Sequence, residues 1–254
     1  MDTSAVAALC GAAFAAGTLD AVVGGGGLIQ LPALLLVLPH QPVVQLLGTN
    51  KLASVVGTGS AAITYAANVE VHRRTAVRMA AAAFAGAALG AFLATRASSG
   101  LLRPVVLVAL VAVWLYTLRR SDLGAIEQLR LTPGRQASVA IVGGALIGLY
   151  DGFVGPGTGS FLVFLLVGAV GLSFLHASAT GKAVNTMTNV AALLLFGLGG
   201  HVLWTLGAAM AACNLAGAQV GARVAIRRGS RWVRQVFLVV VAMLILRLGY
   251  DVLF

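Results

Sequence analysis

Charged residues are scarce in this sequence, and their scarcity excludes the commonest class of protein. Aspartate, glutamate, lysine and arginine together make up 9% of the 254 residues, whereas a soluble domain carries about 25%. Hydrophobic residues make up 59%, and the mean hydropathy is +0.98. A chain of this composition cannot cover its surface with polar groups. We therefore exclude a water-soluble domain and expect an integral membrane protein.

Cysteines, metal-ligand clusters and nucleotide motifs are also few or missing. The two cysteines, Cys10 and Cys213, lie inside apolar segments, which favours small buried side chains over a disulfide. The four histidines are scattered near loops without an HExxH pattern, so we predict no metal site. SATGKA at 178–183 departs from a phosphate loop, because His176 replaces its first glycine and Ala183 its serine or threonine. With no nucleophile–base pair evident, we expect no cofactor and no enzyme.

Long apolar runs recur along the chain. Several approach the roughly 20 residues that cross a bilayer as a helix, and the alternating pattern of a membrane barrel is absent. Glycines at spacing four, Gly86 with Gly90 and Gly217 with Gly221, are typical of helices that pack closely in lipid. We predict helices over 4–23, 28–38, 44–67, 75–96 and 101–119, and, in the second half, over 135–154, 159–175, 177–199, 202–226 and 232–253.

The two halves of the chain repeat one pattern at a constant offset, the one that separates Gly17 from Gly148. The first copy opens with GTLDAVVGGGGLIQLPALLLVL, and the second opens with GLYDGFVGPGTGSFLVFLLVG. Each copy places an aspartate, a glycine-rich break and a lysine in an apolar background. One ungapped register over about a hundred residues indicates a duplicated structural unit. The offset pairs Asp20 with Asp151, Gly24 with Gly155, Lys51 with Lys182, Gly86 with Gly217, and Gly90 with Gly221.

The charge that is present is mostly basic. Lysine and arginine number 17 against 7 acidic residues, which gives a net charge of +10. Because the arginines lie between apolar runs, we attribute the excess to the positive-inside rule and not to a nucleic-acid partner. If each break returns the chain to the side it came from and the second copy is inverted, twelve loop arginines face one side and two the other. Parallel halves whose first element crosses once would divide them seven and seven.

We therefore predict an all-α integral membrane protein made of two inverted repeats. Each repeat has a broken, re-entrant helix pair followed by three transmembrane helices, and both termini lie on the outer side of the membrane. Two full crossings in place of each broken pair are an alternative that fits the same charge count. The predicted boundaries are 1–254 for a single membrane domain, 4–119 for repeat one, 120–134 for a cytoplasmic linker and 135–253 for repeat two, with loops 68–78, 119–135 and 223–234 in the cytoplasm.

Two glycine-rich breaks interrupt the apolar runs, at Gly24–Gly27 and at 155–159. Neither break favours a continuous helix, since each glycine in a helix interior raises the free energy of the helix by roughly 1 kcal/mol relative to alanine, and proline raises it by about 3 kcal/mol. Backbone N–H groups at the start of the following helix form an anion cradle of the kind that transporters build from broken helices. Thr158 and Ser160 can add hydroxyl donors. A tight turn of close-packed backbone is the alternative interpretation.

Lysines and asparagines follow each break. Lys51 and Lys182 lie near the start of apolar spans, where a cation either marks a substrate path or extends to the membrane interface. Asn185 and Asn189 share one helix face and either donate to an oxyanion or cross-link helices. The candidate substrate ligands are Gly24, Gly25, Gly26, Gly27, Asn50, Lys51, Gly155, Gly157, Thr158, Gly159, Ser160, Lys182, Asn185 and Asn189.

Asp20 and Asp151 each precede a break by four residues. Three roles are open to them: an ion pair with a lysine, hydrogen bonds with N–H groups of the break, or transfer of a coupling proton. A bare carboxylate beside an anionic ligand is unfavourable. This consideration favours a structural role over proton coupling.

At these residues the chain resembles the sulfite exporter TauE/SafE family of bacterial membrane permeases. The resemblance rests on DAVVGGGGLIQLPALLL, GTNKLA, YDGFVGPGTGSF, HASATGKAVNTMTN and GARVAIRRG, and it covers nearly the whole chain. It implies an exporter in the bacterial inner membrane for sulfite or related sulfur oxyanions and organosulfonates. The second copy has Gly181 where the first has Asn50, so the two half-sites need not contribute equally.

The residues and the resemblance together predict a secondary transporter that binds a small anion between the two breaks and works by alternating access. Because no nucleotide motif is present, a proton or anion gradient would supply the energy. A passive anion channel is the alternative, and a membrane-embedded enzyme is a distant one. The expected partners are the anion and the lipid bilayer, without nucleic acid. Proton coupling is left open, and no oligomeric state is predicted.

Overall fold

The protein is a bundle of α-helices. The computed structural model describes residues 3–96 and 132–253, and it contains no β-strand over those residues. The predicted all-helical fold is confirmed. The predicted helix 101–119 and most of the predicted linker 120–134 lie outside the described residues. In chain order the helices are α1 Thr3–Val23, α2 Gly27–Val37, α3 Val43–Asn68, α4 Arg73–Ala94, α5 Pro133–Phe153, α6 Thr158–Leu165, α7 Phe174–Leu198 and α8 Trp204–Leu253.

One helix end differs clearly from the predicted one. α6 is followed by a π-helical turn, Leu166–Val170, and the chain leaves this turn at Gly171 with a φ of 94° that favours glycine. The predicted helix 159–175 therefore ends early. α8 consists of two helices joined at a kink, because Gly229 has a non-helical backbone with φ 74° and ψ −177°. This kink lies between the predicted helices 202–226 and 232–253.

Three described helices are long and apolar enough to cross a membrane: Thr3–Val23, Arg73–Ala94 and Gly134–Phe153. Two of these three are the first helices of the broken pairs, so α1 and α5 have the length of a full crossing. α2 and α6 are shorter apolar helices. These lengths and compositions fit the integral membrane class predicted from the sequence.

Helix contacts repeat at the same offset as the sequence. α1 packs along α8, and α5 packs along α4. A side chain at Gly217 would strike the carbonyl of Phe14, and one at Gly86 would strike the carbonyl of Ala145, which is the equivalent residue. The predicted close packing at the glycine pairs is confirmed in both copies. The second glycine of each pair makes the same kind of contact, Gly221 with the carbonyl of Thr18 and Gly90 with the carbonyl of Leu149.

Two hydrophobic clusters lie toward opposite ends of α3. The first joins Leu46 of α3 to Leu9 of α1 and Leu34 of α2. The second joins Tyr65 of α3 to the first half of α5 and to the turn that follows α6. The end of α1, at Ala21, Val22 and Val23, also belongs to the second cluster, so α1 contributes to both. The inverted orientation of the repeats in a membrane stays a prediction.

We expect Gly217→Leu to destabilise the protein, because a side chain there has no room beside the α1 backbone. Overpacking of this kind costs about 1–3 kcal/mol, so the midpoint of thermal unfolding in detergent, followed by tryptophan fluorescence, should fall. Gly11→Leu is the matched control, since Gly11 lies within α1 and nothing lies within 4 Å of its Cβ position. Equal midpoints for the two variants would contradict this packing.

Candidate functional site

The two glycine breaks meet inside the bundle. A Cβ at Gly24 would overlap the backbone of Gly159, and the hydroxyl of Ser160 donates to the carbonyl of Val23 at 2.9 Å. Gly24 and its equivalent Gly155 both have a positive φ, 84° and 90°, which lets the chain turn where a Cβ would clash. The two breaks therefore form one structural feature.

Each break leaves backbone N–H groups free at the start of a helix. The N–H groups of Gly25, Gly26 and Gly27, at the start of α2, meet no acceptor in the described part of the chain. Those of Gly157 and Gly159, at the start of α6, likewise find none among the described residues. Free N–H groups and the positive end of a helix dipole attract anions. The fold thus brings two such helix starts to one point.

Two buried ion pairs link the repeats crosswise. Nζ of Lys51 lies 2.7 Å from Oδ2 of Asp151, and Nζ of Lys182 lies 2.8 Å from Oδ2 of Asp20. Each lysine therefore pairs with the carboxylate of the other copy. The lysines are 2% and 1% exposed, so neither extends to a membrane interface. Buried charges require such partners, and the four charges sum to zero.

A small polar cavity lies beside the ion pairs. Its volume is about 20 Å³, which holds about one water molecule. Lys51 lines it, donates to Oδ1 of Asn189 at 3.1 Å, and approaches the second break so closely that a Cβ at Gly155 would lie 3.0 Å from Nζ. Every predicted site residue lines this cavity except Gly25, Gly26, Ser160 and Lys182.

The hydroxyl groups predicted as anion donors are used within the protein. Thr158 donates to the carbonyl of Gly155 at 2.7 Å, and Ser160 donates to Val23 across the two breaks. A hydroxyl has one hydrogen to donate. In this structure these two groups therefore hold the turns in place, which differs from the donor role expected of them.

Two residues that line the cavity, Ser54 and Thr58, were not predicted from the sequence. They are the first-copy equivalents of Asn185 and Asn189, so the repeat offset applied to those asparagines would have found them. Thr58 donates to Oδ2 of Asp20 at 3.2 Å. The facing helices α3 and α7 thus contribute equivalent polar positions to the site.

A third residue that was not predicted, Gln30 of α2, supports the site from one side only. Its Nε2 donates to the carbonyl of Asn50 at 3.3 Å, and its Oε1 accepts from Nδ2 of Asn214 at 2.7 Å. The equivalent positions hold Phe161 and Ala83, so the second copy lacks this network. Beside it, Oδ1 of Asn50 is buried without a partner among the described residues.

The remaining candidate groups lie outside the site. Cys10 and Cys213 are free and half-buried. Within residues 3–96 and 132–253, no group of three or more histidine, cysteine or acidic side chains has the arrangement of a metal site. The buried charged side chains of the described chain, Lys51, Asp151 and Lys182, all lie where the two breaks meet.

Comparison with known proteins identifies a family and several relatives. The sequence profile of the family described as "Sulfite exporter TauE/SafE" matches residues 9–248. The chain is 39% identical over 241 residues to "Probable membrane transporter protein ORF9" of Sinorhizobium sp, which covers 94% of this chain and 90% of the relative. It is 33% identical over 239 residues to "Probable membrane transporter protein YfcA" of Escherichia coli K12, which covers 94% and 87%. No solved structure matches the chain.

The crosswise pairing predicts which second substitution restores stability after loss of a lysine. Lys51→Met leaves the buried carboxylate of Asp151 without its cation, a change that costs about 3–5 kcal/mol and lowers the midpoint of thermal unfolding. Adding Asp151→Asn removes the unpaired charge, and we expect most of the stability to return. Adding Asp20→Asn instead should lower the midpoint further. Rescue by Asp20→Asn alone would rule out the pairing between copies.

Proposed function

The chain belongs to the sulfite exporter TauE/SafE family, and from this membership we propose that it exports small sulfur-containing anions by alternating access. The relatives are named as membrane transporters, and this protein is a membrane transporter and not an enzyme. The substrate class that we propose is sulfite with related sulfur oxyanions and organosulfonates.

The observation that carries this proposal is the meeting of two helix starts beside two buried lysines. Free backbone N–H groups and ammonium groups are the donors that bind oxyanions most strongly. An anion at this point would be ligated by N–H groups of both breaks and by the amides of Asn50, Asn185 and Asn189. Lys51 would contact the anion directly. Lys182, which is paired with Asp20, would contribute positive charge without touching the anion.

The small cavity fits a transporter whose site is occluded, and a gated passive channel in its closed state would share this feature. A sulfite or sulfonate group has several heavy atoms, whereas a volume of about 20 Å³ accommodates about one water molecule. The helices around the site therefore have to move before such an anion can enter. Because the ion pairs run between the copies, rocking of one repeat against the other would change access to the site and the lysine contacts together.

We place the protein in the bacterial inner membrane with both termini outside and the arginine-rich loops in the cytoplasm. Contacts at one end of the bundle support this assignment. The rings of His72 and His176 lie 6.1 Å apart, and the N–H of Leu175 donates to the hydroxyl of Ser230 at 3.2 Å. Loops 68–78 and 223–234 therefore lie at the same end. A proton or anion gradient would supply the energy for transport.

The proposed substrate class is tested by binding and by transport. At least one of sulfite, sulfate, thiosulfate and methanesulfonate should raise the midpoint of thermal unfolding, since a ligand at a hundred times its Kd adds about 2.7 kcal/mol to the free energy of unfolding. In proteoliposomes, the same anion should accumulate when a pH or anion gradient is imposed. A passive channel would only let it equilibrate. If none of the four anions stabilises the protein, the proposed substrate class is wrong.

In the same assay, removal of Lys51 should lower the flux about tenfold or more, because hydrogen bonds to charged groups contribute about 1.5–3 kcal/mol. The double variant Lys51→Met/Asp151→Asn avoids an unpaired carboxylate and so separates loss of the site from loss of folding. Arg74→Met is the control, since it removes an exposed cation and should leave the flux unchanged. Undiminished flux in the double variant would count against the site.

The proposed orientation is tested by labelling single cysteines in a Cys10→Ser/Cys213→Ser background. His40, between α2 and α3, and Arg74, at the start of α4, are both exposed. The cells are first stripped of the outer membrane, with the inner membrane left intact. A membrane-impermeant thiol reagent should then label His40→Cys, and Arg74→Cys should react only after the inner membrane is permeabilised. Equal labelling of both before opening would refute the orientation.

A further inference from the structure

The two ion pairs at the site are not equivalent. Oδ2 of Asp20 accepts hydrogen bonds from Lys182 at 2.8 Å and from Thr58 at 3.2 Å. Oδ2 of Asp151 lies 2.7 Å from Nζ of Lys51, and no hydroxyl, amide or backbone N–H of the described residues donates to it. Asp151 is 2% exposed, against 14% for Asp20. The negative charge of Asp151 therefore depends on Lys51 alone.

One sequence difference between the copies accounts for this asymmetry. The position equivalent to Thr58 holds Asn189. Oδ1 of Asn189 accepts from Lys51 at 3.1 Å, and no hydrogen bond joins Asn189 to Asp151. One pair therefore has a carboxylate with two donors, and the other has a lysine with two acceptors.

An anion at the start of α6 would lie next to that same lysine. The free N–H groups of Gly157 and Gly159 border the cavity, and the second break approaches Nζ so closely that a Cβ there would lie 3.0 Å from it. Asn50 also borders this space, and its Nδ2 is a donor for an anion. The anion and Asp151 would therefore compete for the ammonium group of Lys51.

We propose that binding of an anion at Lys51 is coupled one-to-one to protonation of Asp151, an inference that rests on the anion transport proposed above. When the anion takes the ammonium group, Asp151 loses its one cation, and an unpaired buried carboxylate is far less favourable than the neutral acid. A proton from water adds to Oδ2 and forms a carboxylic acid. The four charges sum to zero beforehand, and one monoanion with one proton leaves that sum unchanged. No group is oxidised or reduced.

No other described group replaces Lys51 as the partner of Asp151. Lys182, on α7, is held by Asp20. The neighbouring Tyr150 donates its hydroxyl to the carbonyl of Pro156 at 2.5 Å. α6 and the turn after it carry no titratable side chain. The other charged or titratable residues on helices packed against α5 are Arg73, Arg74 and Arg78 in the first turns of α4 and His176 in the first turn of α7.

Calorimetric titration of the full chain in detergent tests this coupling. Methanesulfonate and ethanesulfonate are suitable probes, because both are monoanions that stay ionised near neutral pH and carry no proton of their own. Titration in buffers with different ionisation enthalpies gives the number of protons taken up per anion. For the unmodified protein we expect about one proton per anion and an affinity that weakens about tenfold per unit rise in pH. Asp151→Asn should bind without proton uptake, with an affinity independent of pH.

Glu70→Gln is the matched comparison, since it removes an exposed carboxylate outside the site, and it should retain about one proton per anion. Thermal unfolding of each variant reports whether it is folded. If Asp151→Asn does not fold, the pH dependence of anion affinity in the unmodified protein decides whether binding is coupled to proton uptake. Binding without proton uptake in the unmodified protein, or proton uptake retained in Asp151→Asn, overturns the coupling but leaves anion transport standing. Failure of both probes to bind the unmodified protein overturns the coupling, and failure of sulfite, sulfate and thiosulfate as well overturns the proposed function.

Discussion

Four charges buried among apolar helices have to be neutralised, and the fold meets this requirement by pairing each lysine with a carboxylate of the other copy. An unpaired ion at such a place costs several kcal/mol, so the pairing constrains everything around it. The two breaks have to meet, and α3 has to lie beside α7. Glycine contacts pack α1 against α8 and α5 against α4. This close packing keeps the helix backbones near enough for the lysine and aspartate side chains to meet.

The carboxylates, the lysines and the breaks could be located from the sequence, because residues that are costly in an apolar helix stand out and recur at one offset. The partner of each lysine could not be predicted in the same way. An offset is equally compatible with pairs inside a copy and pairs between copies. The relative placement of the helices determines which residues pair, and it brings Lys51 next to Asp151.

Hydroxyl groups were harder to assign than charges. Ser54 and Thr58 did not stand out, because serine and threonine in helices commonly bond to their own backbone. Thr158 and Ser160 were predicted as ligands from their place at a helix start. Their hydrogens go to carbonyls freed by the breaks, and the path of the turn, which the sequence does not specify, determines which carbonyls lie in reach. The membrane helices themselves followed from composition, because a lipid environment allows few other structures.

The crosswise pairing also bears on how the chain folds. Lys51 and Asp20 belong to the first half, and their partners Asp151 and Lys182 belong to the second. The native ion pairs therefore cannot form until both halves have been synthesised, and each half depends on the other to neutralise its charges.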